Sequence, residues 1–274
     1  MSTRLSGEVI CFADDTNVFY IGDTIDVIAS AMRTDLEVIK KWVSMNQLLV
    51  NVNKTNYIIF SKPNKKVENI NDLKWDEIDI ERKSVAKFLG FCIDENLTWE
   101  DHVKYVISKV SPVVRNLWRL KSVLTAQAKK CVYFGLIQSH LLYLCLIWSN
   151  ASMEILEPLR ILHNRAIKTL YGMHPRTSSK DVYLQTGLLD VSQLSFLSAA
   201  TFGFMVIKGF WRSQTKFILN TEYHRYPTKM ASRIHCQPVK SSKYGIKGAY
   251  TVICNAYNEI PDDVVDSPSK AVFF

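Results

Sequence analysis

Two adjacent aspartates, Asp14 and Asp15, interrupt a stretch that is otherwise apolar or β-forming from Val9 to Tyr20. No other feature constrains the fold as much. A charged pair does not sit inside a buried strand. The stretch therefore reads as two short strands, residues 9–13 and 16–20, joined by a tight acidic turn. Aspartate suits turns because its side chain can satisfy nearby backbone amides. Neighbouring carboxylates also repel, and placing them at the end of buried strands costs stability. A divalent cation would offset that cost. Phosphoryl transfer by two Mg²⁺ ions needs such carboxylates, because they hold the ions that stabilise the attacking and leaving oxygens. An ordinary acidic β-turn satisfies the same pattern and, for the pair alone, is the better fit.

The next segments have clear periodicity. Ile25, Ile28, Met32, Leu36, Ile39 and Val43 recur at three- and four-residue steps, which predicts an amphipathic helix over 24–46. Residues 57–60 read as a short buried strand, 62–79 as a polar surface connection, and 78–80 and 85–93 as a further hairpin or strand pair. From Trp99 the pattern turns helical. One helix carries Val103, Val106, Ile107 and Val110 and is expected to break or bend at Pro112. Others are predicted over 126–144, over 153–171 with Gly172 as the stop, and over about 191–208. The fold class is α+β, with three divisions at 1–97, 98–209 and 210–274.

Hydrophobic residues make up 47% of the 274 and charged residues 22%, enough apolar material for a buried core. The net charge of +8 suits a polyanionic partner and equally a merely solvated basic surface. Between Lys208 and Gly248 nine basic residues face one acid, Glu222, with Trp211, Phe217, Tyr223, Tyr226 and Tyr244 interleaved. That segment could stack on or track a single strand. Equally, its aromatics could be core and its lysines solubilising. The six cysteines form no C-x-x-C pair and read as free thiols in a reducing compartment. His224, His235 and Cys236 fit no common zinc spacing. The N-terminus shows no signal-peptide core, and the longest apolar stretch, Leu141 to Trp148, is far short of the roughly 20 residues that span a bilayer. An intracellular protein, nuclear or cytoplasmic and outside the membrane, is expected.

Several boxes in order carry a resemblance. They are Phe12-Ala13-Asp14-Asp15-Thr16, then Leu49-Val50-Asn51-Val52-Asn53-Lys54-Thr55 with Ile58-Ile59-Phe60, then Phe88-Leu89-Gly90-Phe91-Cys92-Ile93-Asp94 with Leu97-Thr98-Trp99 and His102. Tyr143, Ile147-Trp148, the 159–172 helix and Tyr257-Asn258-Glu259-Ile260-Pro261 follow. This resembles the reverse transcriptases of non-LTR retrotransposons, of the jockey-like and CR1-like kind, from motif C onward. The resemblance implies a partial palm (β-hairpin, helix, short strands), then a mainly helical thumb-like region and a basic tail. It implies that Asp14 and Asp15 are catalytic and hold Mg²⁺. Lys54 matches the motif D lysine proposed to protonate the leaving pyrophosphate, though a solvated lysine beside a strand fits as well. Phe88, Leu89 and Gly90 would form the primer grip, or simply be core strand residues with a glycine for close backbone approach.

Lys104, Lys109, Arg115, Arg119, Lys121, Lys129 and Lys130 would line the thumb and contact RNA template and DNA primer, or an RNA–DNA hybrid, through the backbone. A palm also needs an aspartate on a strand well before motif C, and fingers. With eight residues before Val9, the expectation is that both are missing, as is an upstream endonuclease. The chain is then expected to lack polymerase activity alone. Three readings follow: part of an RNA-directed DNA polymerase, a non-catalytic nucleic-acid-binding remnant, or a decayed remnant with an exposed, aggregation-prone sheet edge.

Overall fold

The computed structural model describes residues 5–61, 68–223, 231–239 and 248–266. They form two compact units, Met1–Thr98 and Trp99–Phe274.

In the first unit, β1 (Glu8–Phe12) and β2 (Asp15–Phe19) pair antiparallel, with Phe12 opposite Asp15. The two-residue turn is Ala13-Asp14, one residue earlier than the sequence pattern suggests. Ala13 takes a left-handed φ of 51°. Tight hairpins favour such angles because they match strand twist, although a non-glycine residue is strained there. The long helix α1 (Ile25–Met45) runs as its periodicity predicts, with Thr24 capping the Val27 N–H. Beyond it the expected strand over 57–60 shrinks to β3 (Asn56–Tyr57), which pairs parallel with β6 (Glu81–Arg82). β4 (Lys74–Trp75) pairs with β5 (Ile78–Asp79).

The predicted surface connection is partly core. Ile70 and Leu73 are buried with Ala29, Tyr57 and Ile80, which explains why so polar a segment folds back. Its residues 62–67 lie outside the described set. β7 (Val85–Phe88) and β8 (Phe91–Asp94) close the unit as a second tight hairpin.

The second unit is helical. α2 (Glu100–Arg119) continues through Pro112 without the break the proline allowed. Proline removes the N–H that would meet the Ser108 carbonyl. Ser108 and Pro112 are both exposed, so water can serve that carbonyl. Val103, Val106, Val110, Val114 and Leu117 form the buried face, packed on α6. Pro112→Ala should therefore stabilise this unit by about 1–3 kcal/mol, restoring a helix hydrogen bond with no packing change. A rise in the urea midpoint checks this, and an unchanged or lower midpoint counts against it.

The predicted 126–144 helix is segmented. α3 (Ala126–Tyr133) passes through a π-helical turn (Phe134–Gln138) into α4 (Ser139–Leu142), and α5 (Cys145–Trp148) follows a left-handed Leu144. α6 (Met153–Tyr171) ends at left-handed Gly172, as expected. α7 (Ser179–Thr186) leads to α8 (Val191–Ile207), whose N-terminus carries an Asp190–Gln193 capping box.

Past residue 208 lie α9 (Asn220–Tyr223), α10 (Ala249–Asn258) and α11 (Asp262–Val265). α10 packs on α8, where Gly203 leaves room: a Cβ there would meet Tyr257 Cβ at 3.1 Å. Arg233 is buried and donates to the Tyr257 carbonyl at 3.3 Å, to the Ile260 carbonyl at 2.6 Å, and to Asp262. A guanidinium at the C-terminal end of α10 fills acceptors the helix leaves open and matches its dipole. Asn258 exchanges hydrogen bonds with the Ile234 backbone at 2.8 and 3.0 Å. The Tyr257–Pro261 box thus encodes a packing clamp.

Among the described residues, no single helix is long and apolar enough to cross a membrane.

Candidate functional site

Asp14 and Asp15 are exposed at the tip of the β1–β2 hairpin. The strands beneath them are not buried, so the repulsion expected of the pair is relieved by water. Directly paired residues share a face, which puts Glu8, Ile10, Phe12, Asp15, Asn17 and Phe19 on one side, half of them apolar. That side is open: Phe12 is 62% exposed and Phe19 43%. Within the described residues neither strand pairs with a third. A two-stranded ribbon with bare edges and two exposed phenylalanines is marginal in water.

The residue that steadies the hairpin is one the sequence reading passed over. Asp35, on α1, is buried and accepts from the Ser6 N–H at 3.0 Å, the Ser6 hydroxyl at 2.9 Å and the Gly7 N–H at 2.9 Å. Burial opposes its ionisation, but these bonds and one from Tyr20 prevail and hold the carboxyl below its ordinary value. The Tyr20 phenol is pushed up by burial and by the facing carboxylate. One side chain therefore ties the start of β1 and the residue after β2 to the helix. Its trace in the sequence was an acid among Ile28, Met32, Leu36 and Ile39, on the face that should be apolar.

Lys54 is exposed at the end of a 3₁₀ turn (Val52–Lys54), and no ion pair joins it to Asp14 or Asp15. Among the described residues there is no group of three His, Cys, Asp or Glu that could hold a metal. Phe88 ends β7, whereas Leu89 and Gly90 form the turn, at φ of 48° and 84°. The glycine serves that backbone angle. It does not admit a close neighbour, since nothing lies within 4 Å of where its Cβ would be. Asp94 then accepts from the Asn96 N–H at 3.1 Å and the Thr98 N–H at 2.9 Å, closing the box with its own side chain.

A pocket of about 660 Å³ opens elsewhere in this unit, between Tyr57, Asn71, Asp79 and Glu95.

In the second unit the cations predicted for nucleic acid divide by environment. Lys104, Lys109, Arg115 and Arg119 lie on the solvent side of α2. Lys104 pairs with Glu100 at 2.7 Å, and Lys109 lies 5.4 Å from the Tyr105 ring centre. Arg115 and Arg119 make no ion pair with the described residues. Lys130 is exposed on α3, and Lys129 is half-buried.

The basic segment after 208 is partly internal. Arg233 serves the clamp, Phe217 stacks on Tyr250, and Tyr223 stacks on His235. Arg225, Lys229, Lys240, Lys243, Lys247, His224, Tyr226 and Tyr244 lie outside the described residues.

Hairpin, helix, short strands and a helical unit carry the boxes in the order a retrotransposon reverse transcriptase has them, and the chain is reverse-transcriptase-like. It is 26% identical over 183 residues to the Probable RNA-directed DNA polymerase from transposon BS of Drosophila melanogaster, covering 64% of this chain and 20% of that protein. It is 22% identical over 191 residues to the Probable RNA-directed DNA polymerase from transposon X-element of the same organism, covering 67% and 21%. The chain spans about a fifth of the length of these curated relatives. No family model matches the chain. No solved structure matches it either.

Proposed function

We propose that this chain is the motif-C-onward part of a retrotransposon RNA-directed DNA polymerase. Residues 1–97 are its partial palm, 98–209 its thumb-like region, and 210–274 a basic, aromatic-rich C-terminal segment whose α10 packs on α8. The observation that carries the reading is the exposed Asp14-Asp15 pair on a hairpin whose edges have no strand partner among the described residues and whose Phe12 and Phe19 are open to water. A hairpin built alone would hide Phe12 and Phe19. One built into a larger sheet would look as this one does.

Mg²⁺ takes six oxygens and keeps water and substrate phosphates among them. Asp14 and Asp15 supply two carboxylates, and no described group of three completes a site. The pair alone does not make a working two-metal centre. In a longer polymerase a carboxylate from another strand would complete it and support nucleotidyl transfer to the primer end. Lys54 would then be placed to serve the leaving pyrophosphate, and the Phe88–Gly90 turn to touch the primer. Alone, the chain holds primer–template without extending it, because the electrostatic stabilisation of the transition state is incomplete.

The test is a primer-extension assay on an RNA template with Mg²⁺, run beside binding of a blunt RNA–DNA hybrid at two salt concentrations. The expected result is no extension and binding that weakens steeply with salt. Synthesis that requires Asp14 would overturn the inactivity. Absence of salt-dependent binding would overturn the primer–template role.

A further inference from the structure

We infer that Trp118, at the C-terminal end of α2, is a stacking platform for an unpaired nucleotide of a single-stranded nucleic acid. This deepens the primer–template reading above and rests on it. α2 buries one face in its unit, and Leu117 is 2% exposed, whereas its neighbour Trp118 stands 49% exposed. A tryptophan left half in water forgoes a large burial free energy unless something covers it. Its surroundings narrow what that is. Arg115, three residues before it, and Arg119, directly after it, are exposed and make no ion pair with the described residues. Lys121 places its ammonium 5.2 Å from the indole ring centre. Leu120 and Val123 extend the apolar surface into the turn that follows.

An exposed ring with one cation on it and two more on the same turns of the helix is a poor fit for an ordinary protein partner, which would have to desolvate those charges. It fits a ligand that joins a flat apolar group to anions, as a nucleotide does. A duplex buries its bases and offers cations only its phosphates, whereas a single strand offers both. The rest of the solvent face of α2, from Lys104 to Arg119, is about 22 Å long at 1.5 Å per residue. That length can follow several phosphates. The helix then grips a backbone along its length and a free base at its end.

The inference predicts a preference that charge alone does not supply. Binding of the full chain to a 12-nucleotide single-stranded RNA and to a blunt RNA–DNA hybrid of that sequence separates the two terms. Trp118→Ala should lose about tenfold in affinity for the single strand and less than twofold for the hybrid. Trp118→Phe should recover most of the loss. Because the ring lies outside the core, helical circular dichroism should be unchanged in both. Arg115→Gln and Arg119→Gln should weaken both ligands and flatten the salt dependence by about one phosphate contact each. If Trp118→Ala weakens both ligands equally, or neither, while the arginine variants weaken both, the stacking site is wrong and the primer–template reading survives. If the unmodified chain binds neither ligand, both fail. Indole fluorescence that responds to chain concentration and not to RNA would also overturn the inference, in favour of self-association.

Discussion

Replacing Asp35 by alanine is expected to remove about 3–5 kcal/mol from the stability of the β1–β2 hairpin. The Gly7 N–H, buried against this carboxylate, would lose its acceptor, as would the Ser6 N–H and hydroxyl. An unsatisfied buried donor costs about 1–3 kcal/mol, and hydrogen bonds to a charged group contribute about 1.5–3 kcal/mol each. The bonds are not additive, so the total stays below their sum. Whole domains are stable by only about 5–15 kcal/mol, so the loss is large for a ribbon already marginal on its own. Hydrogen exchange over residues 6–20 should approach the unprotected rate, while that of α6 and α8 is unaffected. Exchange over 6–20 that stays as slow as in the unsubstituted chain would remove Asp35 as the anchor. Acid should act the same way. The folded carboxyl titrates below its ordinary value of 3.8, so its contribution is complete above that pH and is lost as pH falls through the folded value.

Asp35 also marks how far the sequence could be read. Periodicity located α6 closely, because Leu156, Leu159, His163, Ala166, Ile167 and Leu170 form one buried stripe at helical spacing. It located α1 as well, although only Ala29 and Asp35 are fully buried there and Ile25, Met32 and Leu36 are partly so, whereas α8 is apolar all round and shows as a long apolar run. Pattern alone misjudged places where one group overrides the local signal. Pro112 promised a break or a bend, and the helix does not break, because whether it must depends on water reaching the Ser108 carbonyl, which is a tertiary fact. Residues 68–79 looked solvated because asparagines and acids outnumber their two anchors, Ile70 and Leu73. The box at Phe88-Leu89-Gly90 was visible as a string, yet nothing in the string says that two of its members form a turn. The Asp14-Asp15 pair was legible as a hairpin tip within one residue. The exposed sheet edge and apolar surface expected there also agree with the described residues, where neither strand pairs with a third and Phe12 and Phe19 are open to water. Arg233 was the least legible. In the sequence it is one cation among nine, and only the carbonyls of Tyr257 and Ile260 separate it from the rest.

The same contrast between surface and interior sets the strongest pH response expected of this chain. His163 on α6 is fully buried, with Nε2 2.8 Å from the Tyr133 hydroxyl and Nδ1 3.3 Å from the Tyr183 hydroxyl. Burial lowers its pKa to about 4, against a smaller opposing pull from Asp190. His102 on α2 is also buried, and burial lowers it to about 4. A neutral imidazole can donate to one tyrosine and accept from the other, whereas an imidazolium would force both to accept. Unfolding frees each ring to bind a proton near pH 6.5, while the folded state stays neutral until about pH 4. The unfolded state then holds more protons throughout that window, so stability is complete above pH 6.5 and falls as pH drops toward 4. Between pH 6.5 and 5, before most carboxylates titrate, each histidine should remove about 1.6 kcal/mol. Urea unfolding of the helical unit, followed by circular dichroism across that range, should show the midpoint falling. His163→Phe should lower the midpoint at pH 7.5 by leaving the buried Tyr133 hydroxyl and the half-buried Tyr183 hydroxyl short of a partner. It should also remove about half of the pH slope, because one of the two titrating rings is gone. A variant whose slope matches the unsubstituted chain would show that His163 takes up its proton in the folded state, and the neutral Tyr133–His163–Tyr183 bridge would have to be abandoned.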